Sequence, residues 1–187
     1  MPAMQEQGRA PLTLPTPRAT GPGAAALLLW GVLLGSVVLD QGSKIWALRA
    51  LQPGVAKPLI GEFLSLRLIR NPGAAFSMLD GMTYAVTALA VLIVVRILWL
   101  AHTRLASRAY AGVLGLIAGG AVGNLIDRFL REPGVGRGHV VDFIDYFGMF
   151  VGNVADVLIV GAAAAFAALV LTGRRLDGSR DPVPGES

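Results

Sequence analysis

Two aspartates bracket the stretch GHVVDFIDYFGMFVGNVAD, residues 138–156. Asp142 follows a short apolar run, and Asp156 opens a long run without charge. Two carboxylates sharing one site cannot both ionise cheaply, so one keeps a proton at neutral pH. The charged partner can then activate a water while the protonated one polarises a carbonyl, as in aspartic proteases. Asn153, one helical turn before Asp156, is placed to orient a carboxylate or a substrate carbonyl, and Arg128 to hold loop carbonyls. Each residue also has a plainer reading. Asp142 can cap a turn, and Asp156 early in a helix gains from the macrodipole. Asp127 beside Arg128 reads as a local pair or helix-end cap, and Asp145 as an exposed loop acid. Spacing does not choose among these four acids. A metal site built from His139, Asp142 and Asp156 lacks the HExxH pattern and a second histidine nearby. The absence of cysteine excludes thiol nucleophiles and disulfides, and no phosphate-cradling loop or serine nucleophile elbow is present.

The rest of the chain supplies an apolar setting for these groups. Of 187 residues, 54% are hydrophobic and 15% charged, with a mean hydropathy of +0.62. Soluble domains carry about 25% charged residues, so the composition points to a membrane protein. The basic residues are scattered, without the dense stripe that tracks nucleic acid; anionic lipid headgroups are the better counter-charge. Four apolar runs of membrane-crossing length predict spans at about 24–43, 82–102, 109–127 and 152–172. Residues 1–23, rich in proline and poor in large apolar side chains, and 173–187 read as disordered tails. No small-x-small cleavage site follows the first run, so it reads as a retained span.

Between the first two spans, Pro53 and Pro58 interrupt helix and FLSLRLI at 63–69 alternates with period two, which predicts a small sheet outside the lipid. HVVDFID also reads as extended. Asn71, Pro72 and Gly73 signal a turn, and the small Ala74 and Ala75 after it permit close backbone approach. Gly115, Gly119 and Gly123 share one face of the third span and allow GxxxG-type packing. Asp40, Gln41, Ser43 and Lys44 read first as a polar collar where the first helix leaves the hydrocarbon; the other reading pairs Asp40 with Lys44 toward the bundle. Arg96 reads as snorkelling to the headgroups. Four spans put both termini on one side, but basic residues divide almost evenly between the two sides, so charge leaves the orientation open.

Five blocks together resemble the lipoprotein signal peptidases (signal peptidase II): DQGSK at 40–44, NPGAAFS at 71–77, GGAVGNLIDR at 119–128, VVDF at 140–143 and NVAD at 153–156. They stand in that family's order and spacing and cover nearly everything but the tails. The resemblance implies an all-α membrane protein of four transmembrane helices with a small extracytoplasmic β-sheet and loop region. It implies an aspartyl endopeptidase of the bacterial inner membrane, acting as a monomer on diacylglyceryl-modified prolipoproteins among membrane lipids. Cleavage falls on the amino side of the lipid-bearing cysteine, with no metal or cofactor. By motif, Asp142 and Asp156 match the catalytic pair, and Asn71, Gly73, Asn124, Arg128 and Asn153 match residues lining the site. Asp40 and Lys44 match the first-helix motif. The family's active site faces outward, its termini are cytoplasmic, and globomycin binds at its dyad. In one departure, Gly152 stands where an aromatic usually precedes the asparagine, with Phe150 two residues earlier.

Two other readings compete. A proton-coupled carrier with Asp156 as relay calls for polar groups across the bilayer, whereas the span centres are Leu, Val, Ala and Gly. A scaffold packed through GxxxG leaves the grouping of Asp142, Asn153 and Asp156 unexplained.

Overall fold

Apolar runs without internal proline become long helices. Pro22–Ala50 forms α1, Thr83–Thr103 α2, Arg108–Leu130 α3 and Val154–Leu171 α4. Lys57–Ile60 (β1), Leu64–Asn71 (β2), Val140–Tyr146 (β3) and Phe150–Gly152 (β4) pair antiparallel in the order β1-β2-β3-β4. The computed structural model describes residues 22–73 and 83–180. Among these, four helices are long and apolar enough to cross a membrane, and the strands form one small sheet. Of the tail expected over 1–23, residues 1–21 lie outside the described residues, as do the small Ala74 and Ala75, Met82 at the start of the second span and residues 181–187, while Pro22 and Gly23 open α1 instead.

α3 is the centre of the bundle. In its most apolar window 61% of residues are buried, against 28%, 22% and 11% for α1, α2 and α4. Its glycines explain why. A Cβ at Gly115 would lie 2.9 Å from the Leu29 carbonyl oxygen, and one at Gly119 would lie 2.5 Å from Ser36 Cβ and 2.7 Å from the Leu33 carbonyl. A Cβ at Gly123 would collide with the Asp40 carboxylate, and one at Gly120, on another face, would meet the Ala155 carbonyl at 2.8 Å. α1 therefore lies directly against one glycine face and α4 against the next, the close approach that small residues permit between membrane helices. Gly119→Val should separate α1 from α3. Overpacking a tight contact costs about 1–3 kcal/mol, and thermal unfolding of the detergent-solubilised protein should show that loss while Gly112→Val, in open space, shows little.

α1 continues to Ala50, seven residues beyond the expected span. At about 1.5 Å per residue it is ~43 Å long, more than the ~30 Å of hydrocarbon. Its final turns leave the lipid and pack on the sheet: Ala47 and Leu51 join Leu68, Val141 and Phe143 in a second small core, with Trp46 edge-on to Phe143 at 6.1 Å. A register shift between Leu66 and Ile69 in the β2–β3 pair sets Ile69 opposite Asp142 and Asn71 opposite Val140. At the other end of the bundle, Gly173–Arg180, expected to begin a disordered tail, folds back instead. The Leu176 carbonyl accepts the N–H groups of Ala106 and Ser107 (3.0 and 2.9 Å), Tyr110 donates to the Arg174 carbonyl (2.8 Å), and Leu176 packs against the bundle core. Arg96 lies over the Trp99 ring, 4.4 Å from its centroid.

Candidate active site

The sheet and the bundle each deliver one carboxylate. Asp142 sits on β3, 1% exposed, because the strand runs between β2 and β4 with its inner face on α1 and α3. Asp156 sits in the first turn of α4, where Asn153 is the N-cap. The Asn153 side chain accepts from Asp156 N (3.1 Å), and Asp156 Oδ2 accepts from Asn153 N (3.0 Å), a reciprocal capping box. The Asn153 amide also donates to Asp142 Oδ1 at 2.6 Å. One asparagine thus touches both acids and brings them to the same place.

Further amides hold the remaining oxygens. Asn71, at the end of β2, donates to Asp142 Oδ2 at 2.8 Å, and Asn124 on α3 donates to Asp156 Oδ1 at 3.1 Å. Asn124 Oδ1 accepts from Asn153 Nδ2 (3.2 Å) and from Lys44 Nζ (2.9 Å). Burial is the main reason the Asp142 carboxyl is pushed up to about 6; the negative charge of Asp156 adds to it, while the Asn71 and Asn153 hydrogen bonds oppose it.

Arg128 closes the site from the loop side. Its Nη1 donates to the Gly138 carbonyl (2.8 Å) and the Asn71 carbonyl (3.2 Å), tying the loop before β3 to the end of β2. Gly73 turns with φ +107°, a conformation that favours glycine, and a Cβ there would lie 2.9 Å from Arg128 Nη2. Its N–H donates to Asn71 Oδ1 at 2.9 Å, which fixes the amide that holds Asp142.

Asp40 and Lys44 are not a solvated collar: both are 0% exposed. Lys44 Nζ bridges Asp40 Oδ2 (2.8 Å) and Asp127 Oδ2 (2.9 Å), and Arg131 Nε meets Asp127 Oδ1 at 2.6 Å. Asp40 Oδ1 accepts from Ala155 N at 3.1 Å, and Asp127 Oδ2 from Val141 N at 3.1 Å. The polar turn of α1 is covered by α3, β3 and the start of α4, and two carboxylates balance two cations there. Asp127 is therefore the hub joining α1, α3 and β3, where a local pair with Arg128 or a helix-end cap was expected. Asp145, expected on an exposed loop, is 3% exposed on β3 and pairs with Arg67 of β2 at 3.0 Å. His139 enters through its backbone, its N–H on the Glu132 carbonyl at 2.8 Å.

Gln41 was expected only as part of the polar collar, and Arg131 and Tyr146 were not among the expected site residues. Gln41 donates to the Gly123 carbonyl at 2.9 Å, and the i,i+4 spacing of Asp127 and Arg131 was a usable signal. Tyr146 and Phe150 stack at 6.1 Å and line, with Asp156, Val157 and Val160, an apolar groove of about 550 Å³. A Cβ at Gly152 would lie 2.9 Å from the Phe150 ring and 3.0 Å from Asp156 Oδ2, so the neighbouring phenylalanine occupies the space a larger residue at 152 would need. On the α2 side a cleft of about 200 Å³ is lined by Thr87, Ile93, Asn124, Arg128 and Val140, and Ile159 borders both hollows.

A family model described as signal peptidase (SPase) II matches residues 32–172. The lipoprotein signal peptidase of Rhodococcus jostii (strain RHA1) is 48% identical over 157 residues, 83% of this chain and 79% of that protein. That of Mycobacterium avium (strain 104) is 45% identical over 150 residues, 80% of this chain and 82% of that protein. A bacterial membrane enzyme solved by the in meso method at 1.9 Å shares the fold, with a TM-score of 0.66, 24% identity and coverage of 82% of this chain and 96% of the other. The matched region runs from within α1 to just past the end of α4 and contains the aspartates, the asparagines and the buried Lys44 cluster together. The chain belongs to the signal peptidase II family, the lipoprotein signal peptidases.

Proposed function

We propose that this membrane protease cleaves diacylglyceryl-modified prolipoproteins on the amino side of the lipid-bearing cysteine, with Asp142 and Asp156 as its catalytic pair. The observation that carries the reading is the bridging Asn153, bonded to Asp142 through its side chain and to Asp156 through both backbone and side chain. Asp142 holds the shared proton and polarises the scissile carbonyl; Asp156 carries the charge and takes a proton from the attacking water. As water attacks, the proton on Asp142 passes to the developing oxyanion; as the C–N bond breaks, Asp156 gives the proton it gained to the leaving amine and Asp142 takes its proton back from the collapsing diol. Asn71, Asn124, Gly73 and Arg128 keep the two carboxyls and the flanking loop in place. The apolar groove beside Asp156 and the cleft beside Asn124 suit a signal peptide and acyl chains that stay in the bilayer during cleavage. In this reading the sheet and aspartates face the outside of the inner membrane, both termini are cytoplasmic, the protein works as a monomer, and globomycin blocks it. Incubating the purified protein with a diacylated precursor, and with its unlipidated form, tests the substrate assignment. Equal cleavage of both would overturn it.

The carboxyl at Asp142 gives this mechanism a pH signature. Above about 6 the free enzyme's pair loses its shared proton and with it the acid that polarises the carbonyl. The kcat/KM profile should therefore fall on the alkaline side with an apparent value near 6 that belongs to the pair. An apolar substrate displaces water from the site and disfavours the charged form further, so the limb in kcat should lie at higher pH. Stability follows the same sign. Between roughly pH 4 and 6 the folded chain holds a proton that the unfolded chain has released, so stability falls as pH rises through that window.

A further inference from the structure

At the end of the bundle away from the aspartates, the fold-back after α4 builds a cleft that the proposed chemistry does not use. It holds about 620 Å³ between Arg104, Tyr110, Phe166, Val170, Arg175, Leu176 and Asp177. Its back wall is apolar. Tyr110 is 3% exposed and meets Phe166 edge-on at 5.5 Å, and Val170 is half exposed toward the lipid side of α4. Its lining is cationic: Arg104 and Arg175 stand against one acid, Asp177, and Arg108, Arg174 and Arg180 lie close by in sequence. That acid accepts from the Ser179 hydroxyl (2.6 Å) and N–H (2.9 Å) and also feels the charge of Arg175, so the cleft keeps a net positive charge rather than two unopposed arginines. Trp99 marks the depth of this level. Its indole, 47% exposed, has Arg96 at 4.4 Å and Arg104 at 5.9 Å from the ring centroid. Tryptophan flanked by arginines is the arrangement of a membrane–water interface.

We infer that this cleft is a binding site for one anionic phospholipid, its phosphate between Arg104 and Arg175 and an acyl chain along Phe166 and Val170. The charge fits the phosphate, the wall fits the chain, and the site opens at headgroup depth. A soluble anion would find the two arginines but no use for the apolar wall. A cationic or zwitterionic headgroup would add an ammonium beside an already cationic rim. The loop geometry adds a reason for the site's shape. Leu176 is held to the N-terminus of α3 by two backbone hydrogen bonds, so Arg175 is carried on a fixed turn rather than a free tail.

The test uses the full chain, purified in mild detergent, with native mass spectrometry of bound lipid. Phosphatidylglycerol should be retained as a single tight equivalent in preference to phosphatidylcholine. The double variant R104Q/R175Q should lose that preference by about tenfold or more, two near-surface arginines being involved. R49Q/K57Q, which removes the same charge from exposed positions at the opposite end, should retain it. Both variants should unfold at the temperature of the unaltered protein, which shows that they fold. Inorganic phosphate at millimolar concentration should not displace the lipid. Equal loss in the two double variants would reduce the effect to bulk charge and overturn the inference. Displacement by phosphate alone, or retention unchanged in R104Q/R175Q, would overturn it as well. None of these outcomes depends on the aspartate pair, so the two proposals fail separately.

Discussion

Asp142→Asn and Asp156→Asn are each expected to abolish processing of a diacylated precursor while leaving a folded, membrane-inserted protein. The losses should exceed about a thousandfold, the scale on which removing a member of a cooperating catalytic set acts. The two substitutions differ in what else they disturb. At 142 the new amide can still accept from Asn71 or Asn153 through its single oxygen, but its NH₂ then faces one of their amide donors. At 156 the side chain also closes the capping box of α4, and Asn keeps one oxygen to accept from Asn153 N. A combined gel assay of cleavage and thermal unfolding separates the effects. Activity should vanish in both while the unfolding temperature shifts by only a few degrees. Retained cleavage by either variant would remove that aspartate from the reaction.

Lys44→Met is expected to be the most destabilising single change in the bundle. Lys44 stands between Asp40 and Asp127 with no exposed atoms on any of the three. Removing one partner of a buried ion pair costs about 3–5 kcal/mol because it strands a charge. Adding Asp40→Asn to Lys44→Met takes away one stranded charge and should recover part of that stability, read by the same unfolding measurement. Activity should not return in the double variant. Lys44 also donates to Asn124 Oδ1, and Asn124 in turn holds Asp156. A double variant that regained both stability and full turnover would show that Lys44 only balances charge.

The elements themselves were legible. Four apolar runs marked the helices, period-two alternation marked β2, and the glycine triplet at 115, 119 and 123 marked a face of close approach without saying that α1 would fill it. What the sequence could not show was which face of a helix points inward. A helix that is apolar all round carries no stripe to read, so Asp40 and Lys44 looked like a collar until α3, β3 and the start of α4 were seen to cover them. Nor do polar residues end a helix by themselves. α1 runs through DQGSK to Ala50 because no proline intervenes before Pro53. Asp145 was misread because its partner, Arg67, lies on a strand distant in sequence, and only the β2–β3 register brings them together. Among the acids, only the VVDF and NVAD motifs singled out 142 and 156; the Asn153 bridge is a three-dimensional fact that spacing does not contain.

Asp142 rides on a strand and Asp156 on a helix, and this division has a consequence for the life of the molecule before it is mature. Four helices can enter the bilayer while the loops that form the sheet are still unpaired. In that condition the proposed catalytic acids stand on separate bodies, without the Asn153 and Asn71 contacts that align them. In the proposed mechanism a half-assembled chain then lacks the aligned pair. Under the proposed assignment, it is completion of the fold that brings the two acids together.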